Sequence, residues 1–327
     1  MATYKDIAQL TGLSLATISK YFNGLPVRDR NRAAIDAAVA ELGYRVNPAA
    51  RSLRRGRSQS LGVVLPALDN AFHMSVVAEL ERILRPEGIG LLVSASRPEE
   101  PGAAVEFLRD KGVDAVIAVP SAGEAEALSE LAADGVVLVL LDREQDGVEA
   151  PVVELDNRAA GRMAARLLLD HGHRDVAVLG GPDDVSSLRG RTAGFVAECA
   201  GTGAEVRVRH TPLTVDDGAV AATSLLFGAT RPTAIFAANY ELTVGALRAV
   251  AEAGLAVPGD VSLVGLDGGE LAGLLRPRLT TIVQPADELA ASVAQQVMAR
   301  LTDQAPPPVG LAGPRLLAGG TVGAPAG

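Results

Sequence analysis

The segment LGVVLPALDNAFHMSVVAELERILRPEGIGLLVS (Leu61–Ser94) decides the fold class. It opens on an apolar run, LGVVLP, passes through an amphipathic stretch near 74–86, and closes on a second apolar run, IGLLVS. Short apolar runs flanking a helical period are the pattern of a βαβ unit, in which a crossover helix joins two parallel strands.

The unit repeats outward along the chain. DAVIAV (114–119), VVLVLLD (136–142), VAVLGG (176–181), TAIFAA (233–238) and VSLVGLD (261–267) read as further buried strands. Helical stretches are expected near 102–111, 124–134, 157–171, 189–199, 218–228, 241–253 and 286–302. Such alternation means parallel sheets covered by helices on both faces. There are too many units for one compact sheet, so two similar α/β lobes dividing near residue 155 are expected. The tail after Leu301 is rich in Pro and Gly, and its last residues are expected to be loose.

Residues 4–44 have a different texture and read as three short helices. The first spans about Tyr4–Leu10; Thr11-Gly12-Leu13 breaks it, and Ser14 caps a second helix running to about Phe22. A third runs from about Arg30 to Leu42, with Ile35, Ala38, Val39 and Leu42 on one face. Ala8, Gly12 and Ile18 have helix-turn-helix spacing: a small residue lets two helices cross closely, Gly accepts the turn's positive φ, and Ile packs the second helix on the first. The basic stretch NPAARSLRRGRSQS (47–60) follows, as a linker or a short helix capped by Asn47.

The net charge of −9 hides an asymmetry. Residues 1–60 hold ten Lys and Arg against four Asp and Glu, leaving +6, while the remainder stands at −15. Phosphates would attract such a head and repel such a body, orienting the chain on DNA; on charge alone a solvated, charged N-terminal bundle fits equally well. The 48% hydrophobic content rules out disorder for most of the 327 residues. No apolar run reaches the roughly 18 residues of a membrane span, and MATYKDIAQL is no signal peptide, so a cytoplasmic protein is expected. The single cysteine, Cys199, excludes disulfides and a Cys-based zinc site.

The motifs YKDIAQLTGLSLATISKYFNG and ELGYRVNPAARSLRRGRSQSLGVVLP resemble the start of a lactose-repressor/galactose-repressor family regulator. The likeness continues through LDREQDGVEAPVVELDNRAAG, HGHRDVAVLGG, RTAGF, AIFAANYEL, VPGDVSLVGLD and LTTIVQP, in the family's order. It implies an α/β fold: a helix-turn-helix head (1–46), a hinge helix and linker (47–59), and a two-lobed, periplasmic-binding-protein-like body of parallel sheets flanked by helices (60–327). The N-lobe would take about 60–155 and 286–312, and the C-lobe about 156–285 and 313–320.

By the same resemblance Leu15, Ala16 and Lys20 occupy base-reading positions, while Thr17, Ser19 and Asn23 contact phosphates. Arg is more usual at Lys20, and Lys offers a compact charge in place of a bidentate fork on guanine. Asn47, Ala50, Leu53 and Arg54 fall in the hinge helix, with Leu53 wedged into the minor groove beside its symmetry mate. Partners are then a pseudo-palindromic double-stranded operator, a small-molecule effector and a second copy of the chain. Neither a membrane, a cofactor nor a metal is expected.

Ligands of open parallel sheets bind beyond the strands' carboxyl ends. Those positions hold Asp69-Asn70, Ser94-Ala95-Ser96, Pro120-Ser121, Asp142-Arg143, Gly180-Gly181, Asn239-Tyr240 and Asp267-Gly268, residue types equally common in ordinary turns. The resemblance selects Asn70, Phe72, His73, Asp142, Arg191, Asn239 and Asp267, together with Tyr240, as effector-pocket positions. Tyr240 stands where an Asp usually follows the Asn, and Leu213 where an aromatic often stacks on the ligand. The pocket is thus expected to lose a sugar-binding carboxylate and gain a phenol, opening it to less polar, phosphorylated or aromatic-bearing ligands as well as sugars.

An enzyme is not expected. No phosphate-binding Gly-Lys-Ser/Thr loop and no Gly-x-Ser-x-Gly occurs, and Cys199 has no His near it in sequence. His171-Gly172-His173 provides two ligands without a supporting cluster, a poor metal site. The expectation is a homodimeric repressor of a catabolic operon, with a purine-responsive corepressed regulator and a solute-binding protein as the alternatives.

Overall fold

The computed structural model describes residues 2–22, 25–44 and 57–325, the side chain of Glu270 apart. The chain divides into two compact units, Met1–Ser58 and Gln59–Gly327.

The first unit holds α1 (Tyr4–Thr11), α2 (Leu15–Phe22) and α3 (Asp29–Leu42). Thr3 starts α1 in a capping box: its backbone N–H and its hydroxyl both donate to Asp6 Oδ2, at 2.7 and 2.8 Å. Gly12 ends α1 at φ +67°, the left-handed conformation the turn requires. Ser14 Oγ accepts the Thr17 N–H at 3.2 Å and so begins α2. Ile7, Ile18 and Ile35, all fully buried, meet at the centre. Tyr4 stacks on Phe22 at 4.9 Å, with Tyr44 against both. Three of the chain's four tyrosines therefore serve this small bundle. A domain of this size buries little surface, and aromatic rings supply the most apolar area per residue.

The second unit begins with β1 (Ser60–Leu65), α4 (Ala71–Leu84), β2 (Gly90–Ala95), α5 (Ala103–Asp110), β3 (Ala115–Ala118), α6 (Ala125–Ala133), β4 (Val137–Leu141) and β5 (Val152–Val153). It continues through α7 (Asn157–Asp170), β6 (Asp175–Gly180), α8 (Ser186–Cys199), β7 (Glu205–His210), α9 (Val215–Leu226), β8 (Ala234–Ala237), α10 (Tyr240–Glu252), β9 (Ser262–Leu266), α11 (Gly269–Leu274) and β10 (Thr280–Val283). It ends with α12 (Ala286–Leu301) and β11 (Arg315–Leu317).

The strands form two sheets, in the orders β2-β1-β3-β4-β5 and β11-β10-β9-β8-β6-β7. All pairings are parallel except β10–β11. Within β1, Leu61, Val63 and Leu65 face α4 and α12, while Val64 faces α5 and α6, so one apolar run builds two cores. Strands β3 (AVIA) and β8 (AIFA) are buried throughout.

Several elements begin earlier than periodicity indicates, because polar caps lie upstream of the apolar stripe. Asn70 Oδ1 accepts from His73 N at 3.0 Å, so α4 starts at 71 rather than near 74. Thr214 Oγ1 accepts from Asp217 N at 3.0 Å and starts α9 at 215. Strand β7, EVRVRH, lies at a sheet edge with mostly exposed side chains and carries no apolar run to betray it.

The chain passes between the two sheet layers three times: between β5 and α7, between β10 and α12, and between α12 and β11. Ala312 N donates to Glu154 O at 3.0 Å, and Asp156 N donates to Ala312 O at 2.8 Å, which ties two crossings together. The tail is held in the C-lobe at Thr321, which is buried, while the final residues, 326–327, lie outside the described residues. The Thr321 hydroxyl donates to Leu263 O at 2.7 Å and accepts from Thr280 N at 2.9 Å. Leu263 N also donates to the Thr321 carbonyl at 2.8 Å, a contact that a Gly- and Pro-rich sequence does not announce.

Candidate functional site

Between the two lobes lies a cavity of about 360 Å³. The N-lobe contributes Asn70, Phe72 and His73 from the start of α4, and Asp142 and Arg143 from the end of β4. From the C-lobe come Leu188 and Arg191 of α8, Leu213 just before α9, Asn239, Tyr240 and Glu241 at the start of α10, and Asp267 after β9. Gln284 reaches the cavity from the second crossing. All eight residues singled out from sequence, Asn70, Phe72, His73, Asp142, Arg191, Asn239, Tyr240 and Asp267, line it.

Arg191 is positioned by close helix packing. Gly161 of α7 lies against the Arg191 carbonyl, and Gly194 of α8 against that of Arg158, leaving no room for a side chain at either glycine. Arg191 Nε then donates to Asn157 Oδ1 and Nη1 to the Ala238 carbonyl, each at 2.9 Å. Its Nη2 has no hydrogen-bond partner and stands 3.6 Å from Asp142 Oδ1 across the cleft.

The two cavity aspartates share an unusual backbone. Asp142 has φ +70° and Asp267 φ +61°, a left-handed conformation sparsely populated by residues other than Gly, here held at the ends of β4 and β9. Their electrostatics differ. Burial drives the Asp142 carboxyl up, but the guanidiniums of Arg143 and Arg191 more than reverse this and hold it below the usual value. Arg143 Nη2 lies 3.1 Å from Asp142 Oδ2. For Asp267 burial wins, and its pKa rises to about 6 although Gln284 Nε2 donates to it at 2.8 Å. Burial pushes His73 down to about 4, leaving a neutral imidazole whose Nδ1 has no partner.

The carboxylate expected to be lost at position 240 is present one residue later. Glu241 lies in the cavity wall and accepts from Asn70 Nδ2 at 2.9 Å and from Asn239 Nδ2 at 2.6 Å. A hydrophilic residue in the first turn of a helix gives no sign by itself that it faces a ligand. Gln284 directly follows β10, as Asp142 follows β4 and Asp267 follows β9. Of the remaining strand-end groups, Asp69, Ser94–Ser96, Pro120–Ser121, Gly180–Gly181 and Gly268 stay out of this cavity. A second cavity, about 420 Å³, is lined by Glu144, Glu154, Asp156, Arg158 and Arg189 together with the buried Leu155 and Asn157.

His173 is a structural residue: fully buried, it bonds to Thr233 Oγ1, Ser262 Oγ and the Gly323 carbonyl. No group of three potential metal ligands occurs among the described residues. Nor is any helix among them long and apolar enough to cross a membrane.

On the head, Leu15, Ala16 and Lys20 are exposed on α2, with Ile18 buried behind them. Thr17 and Ser19 are half-buried, and the Thr17 hydroxyl is hydrogen-bonded to Ser14 Oγ at 3.0 Å. Asn23 and the hinge positions Asn47, Ala50, Leu53 and Arg54 lie outside the described residues.

Comparison with known proteins decides what such a pairing of head and cleft belongs to. Residues 3–47 match the family described as bacterial regulatory proteins, lacI family, and residues 152–322 match the periplasmic binding protein-like domain. The chain is 31% identical to the HTH-type transcriptional repressor PurR of Salmonella newport, covering 93% of this chain and 92% of that one.

The chain belongs to the lacI family.

This lacI-family member is a DNA-binding transcriptional regulator with an effector-binding body, and not an enzyme. It is also 29% identical to the ribose operon repressor of Haemophilus influenzae, over 92% of each chain. The lac repressor dimer bound to operator and the anti-inducer ONPF has 27% identity to it, a TM-score of 0.87 and 99% coverage of both chains. The likeness therefore spans head and body together, not the body alone.

Proposed function

We propose that this protein is a cytoplasmic, homodimeric repressor of a catabolic operon, released from its operator by a sugar or sugar-like effector bound between the lobes. The observation that carries the effector reading is the unmet hydrogen bonding of the cavity. His73 Nδ1, Arg191 Nη2 and Gln284 Oε1 are buried without partners in residues that line it. A buried polar atom left unpaired costs about 1–3 kcal/mol. Three such atoms around one space describe a site that a hydroxyl-rich ligand completes.

In this reading Asn70, Phe72, His73 and Asp142 hold the ligand from the N-lobe, and Arg191, Asn239, Tyr240 and Asp267 from the C-lobe. Residues 1–46 read the operator through Leu15, Ala16 and Lys20, with Thr17, Ser19 and Asn23 on phosphates. Residues 47–59 form the hinge, where Asn47, Ala50, Leu53 and Arg54 meet the minor groove. Ligand in the cleft shifts the lobes of residues 60–327 relative to each other and moves the paired hinges apart. Operator and effector affinities are then coupled reciprocally. Relatives named ribose operon repressor and PurR make sugars and purines the two effector classes to compare.

A thermal-shift screen against sugars, polyols, nucleosides and purines tests the effector reading. A ligand at 100 times its Kd adds about 2.7 kcal/mol of stability. A hit that also releases operator DNA supports induction; a hit that tightens operator binding makes the ligand a corepressor. Operator bound no better than scrambled DNA at physiological salt would sink the regulatory reading. Leu53→Ala should weaken operator binding far more than scrambled-DNA binding, and equal losses would refute the wedge.

A further inference from the structure

Glu241 joins the two lobes through a pair of asparagines whose orientation is fixed. Asn70 Oδ1 is committed to the start of α4, accepting from His73 N at 3.0 Å, and Asn239 Oδ1 to the start of α10, accepting from Leu242 N at 2.9 Å. Neither amide can turn its oxygen to the cavity without uncapping a helix, so each presents only its NH2. Both NH2 groups donate to Glu241, one to each carboxylate oxygen, from residues on opposite lobes.

Two helix N-termini with amide donors in front of them are a ready anion site. Here the protein fills that place with its own carboxylate. The charge of the cavity agrees. Its three carboxylates, Asp142, Glu241 and Asp267, outnumber its two guanidiniums, Arg143 and Arg191. Both guanidiniums already face Asp142.

Resting on the reading of the cleft as an effector pocket, we propose that Glu241 is its specificity-determining residue, admitting neutral or ammonium-bearing polyols and excluding those that carry phosphate or carboxylate. A hydroxyl is both donor and acceptor. It enters the clasp by donating to Glu241 while accepting from the Asn70 or Asn239 amide, so no buried group loses a partner. An ammonium group donates to the carboxylate directly. A phosphate dianion has no proton to donate and meets a like charge already seated on the amides.

The test is calorimetric titration of the full chain with D-ribose, ribose 5-phosphate, D-glucose, glucose 6-phosphate and D-glucosamine. Wild type, Glu241→Gln and Glu241→Ala are compared, each with a thermal melt as a folding control. For a sugar that binds wild type, its phosphate ester binds at least about tenfold more weakly. That gap narrows in both variants, because amide N–H groups released from the carboxylate then donate to the phosphate. A phosphate ester that binds wild type as tightly as its parent sugar overturns the filter, as does a gap unchanged in both folded variants. Sugar binding persists in each of those cases, so the effector reading survives them. If no probe binds any of the three proteins, that reading falls and the filter falls with it.

Discussion

Arg191 of the C-lobe and Asp142 of the N-lobe face each other across the cleft, Nη2 to Oδ1 at 3.6 Å, with both side chains almost wholly buried. The separation is too long for a hydrogen bond but close enough for the charges to interact through a poorly screening interior. Arg191 is therefore held on three sides, by Asn157, Ala238 and Asp142, with one nitrogen still to satisfy.

Arg191→Ala should move the effector response to higher ligand concentration while leaving operator binding by the unliganded protein within about twofold. A hydrogen bond to a charged group contributes about 1.5–3 kcal/mol, so ligand affinity falls by roughly ten- to a hundredfold. Titration of the variant with a ligand found for wild type, alongside an operator-binding assay, measures both. Loss of operator binding in parallel with ligand binding would refute the assignment.

The stability of the body depends on pH through two cavity groups of opposite sign. His73 titrates near 4 when folded against an ordinary 6.5, so the stability it contributes is present above 6.5 and lost as pH falls through 4. Asp267 titrates near 6 when folded against an ordinary 3.8, so its contribution is present below 3.8 and lost as pH rises through 6. Each amounts to about 3 kcal/mol at most. Relative to wild type, His73→Gln should gain melting temperature as pH falls from 6.5 to 4, and Asp267→Asn should gain as pH rises from 4 to 6. Variant curves parallel to the wild-type curve would show that neither group is perturbed.

Gly161→Ala should damage the pocket from a distance. The added methyl runs into the Arg191 carbonyl, and α7 and α8 must separate to admit it. Overpacking of this kind costs about 1–3 kcal/mol. The melting temperature should fall, and ligand affinity with it, because Arg191 moves away from Asn157. A variant with unchanged affinity would mean that Arg191 is not positioned by this packing.

Ile18→Ala should unfold the head and spare the body. Ile18 is fully buried at the centre of a small cluster, and such truncations cost about 2–5 kcal/mol, a large share of what a bundle this size has. Specific operator binding should be lost, while the thermal shift produced by a ligand on the body remains. Operator binding at wild-type strength would contradict this account of the head.

Much of the architecture was legible in local patterns. Buried parallel strands such as AVIA and AIFA are continuous apolar runs, and Gly12 and Ser14 mark a turn by their own backbone chemistry. Strand β7 escaped because an edge strand can expose most of its side chains. The two-residue strand β5 is too short to carry a period, and the anchoring of Thr321 rests on hydrogen bonds to partners 41 and 58 residues away. In the pocket, residues that directly follow strands could be found by position. Glu241 could not, because nothing within α10 distinguishes it from an ordinary exposed first-turn glutamate.

The sequence by itself determined the basic helical head, the alternating α/β body and the strand ends from which a ligand site is built, since periodicity, capping and charge act between neighbours in the chain. Tertiary structure alone decided that Asn70 and Glu241, 171 residues apart, share a hydrogen bond, that Arg191 keeps a nitrogen unpaired opposite Asp142, and that His73 and Asp267 shift in opposite directions. Those properties depend on burial and on distances between lobes, which exist only once both sheets have packed and the three crossings have set one lobe against the other.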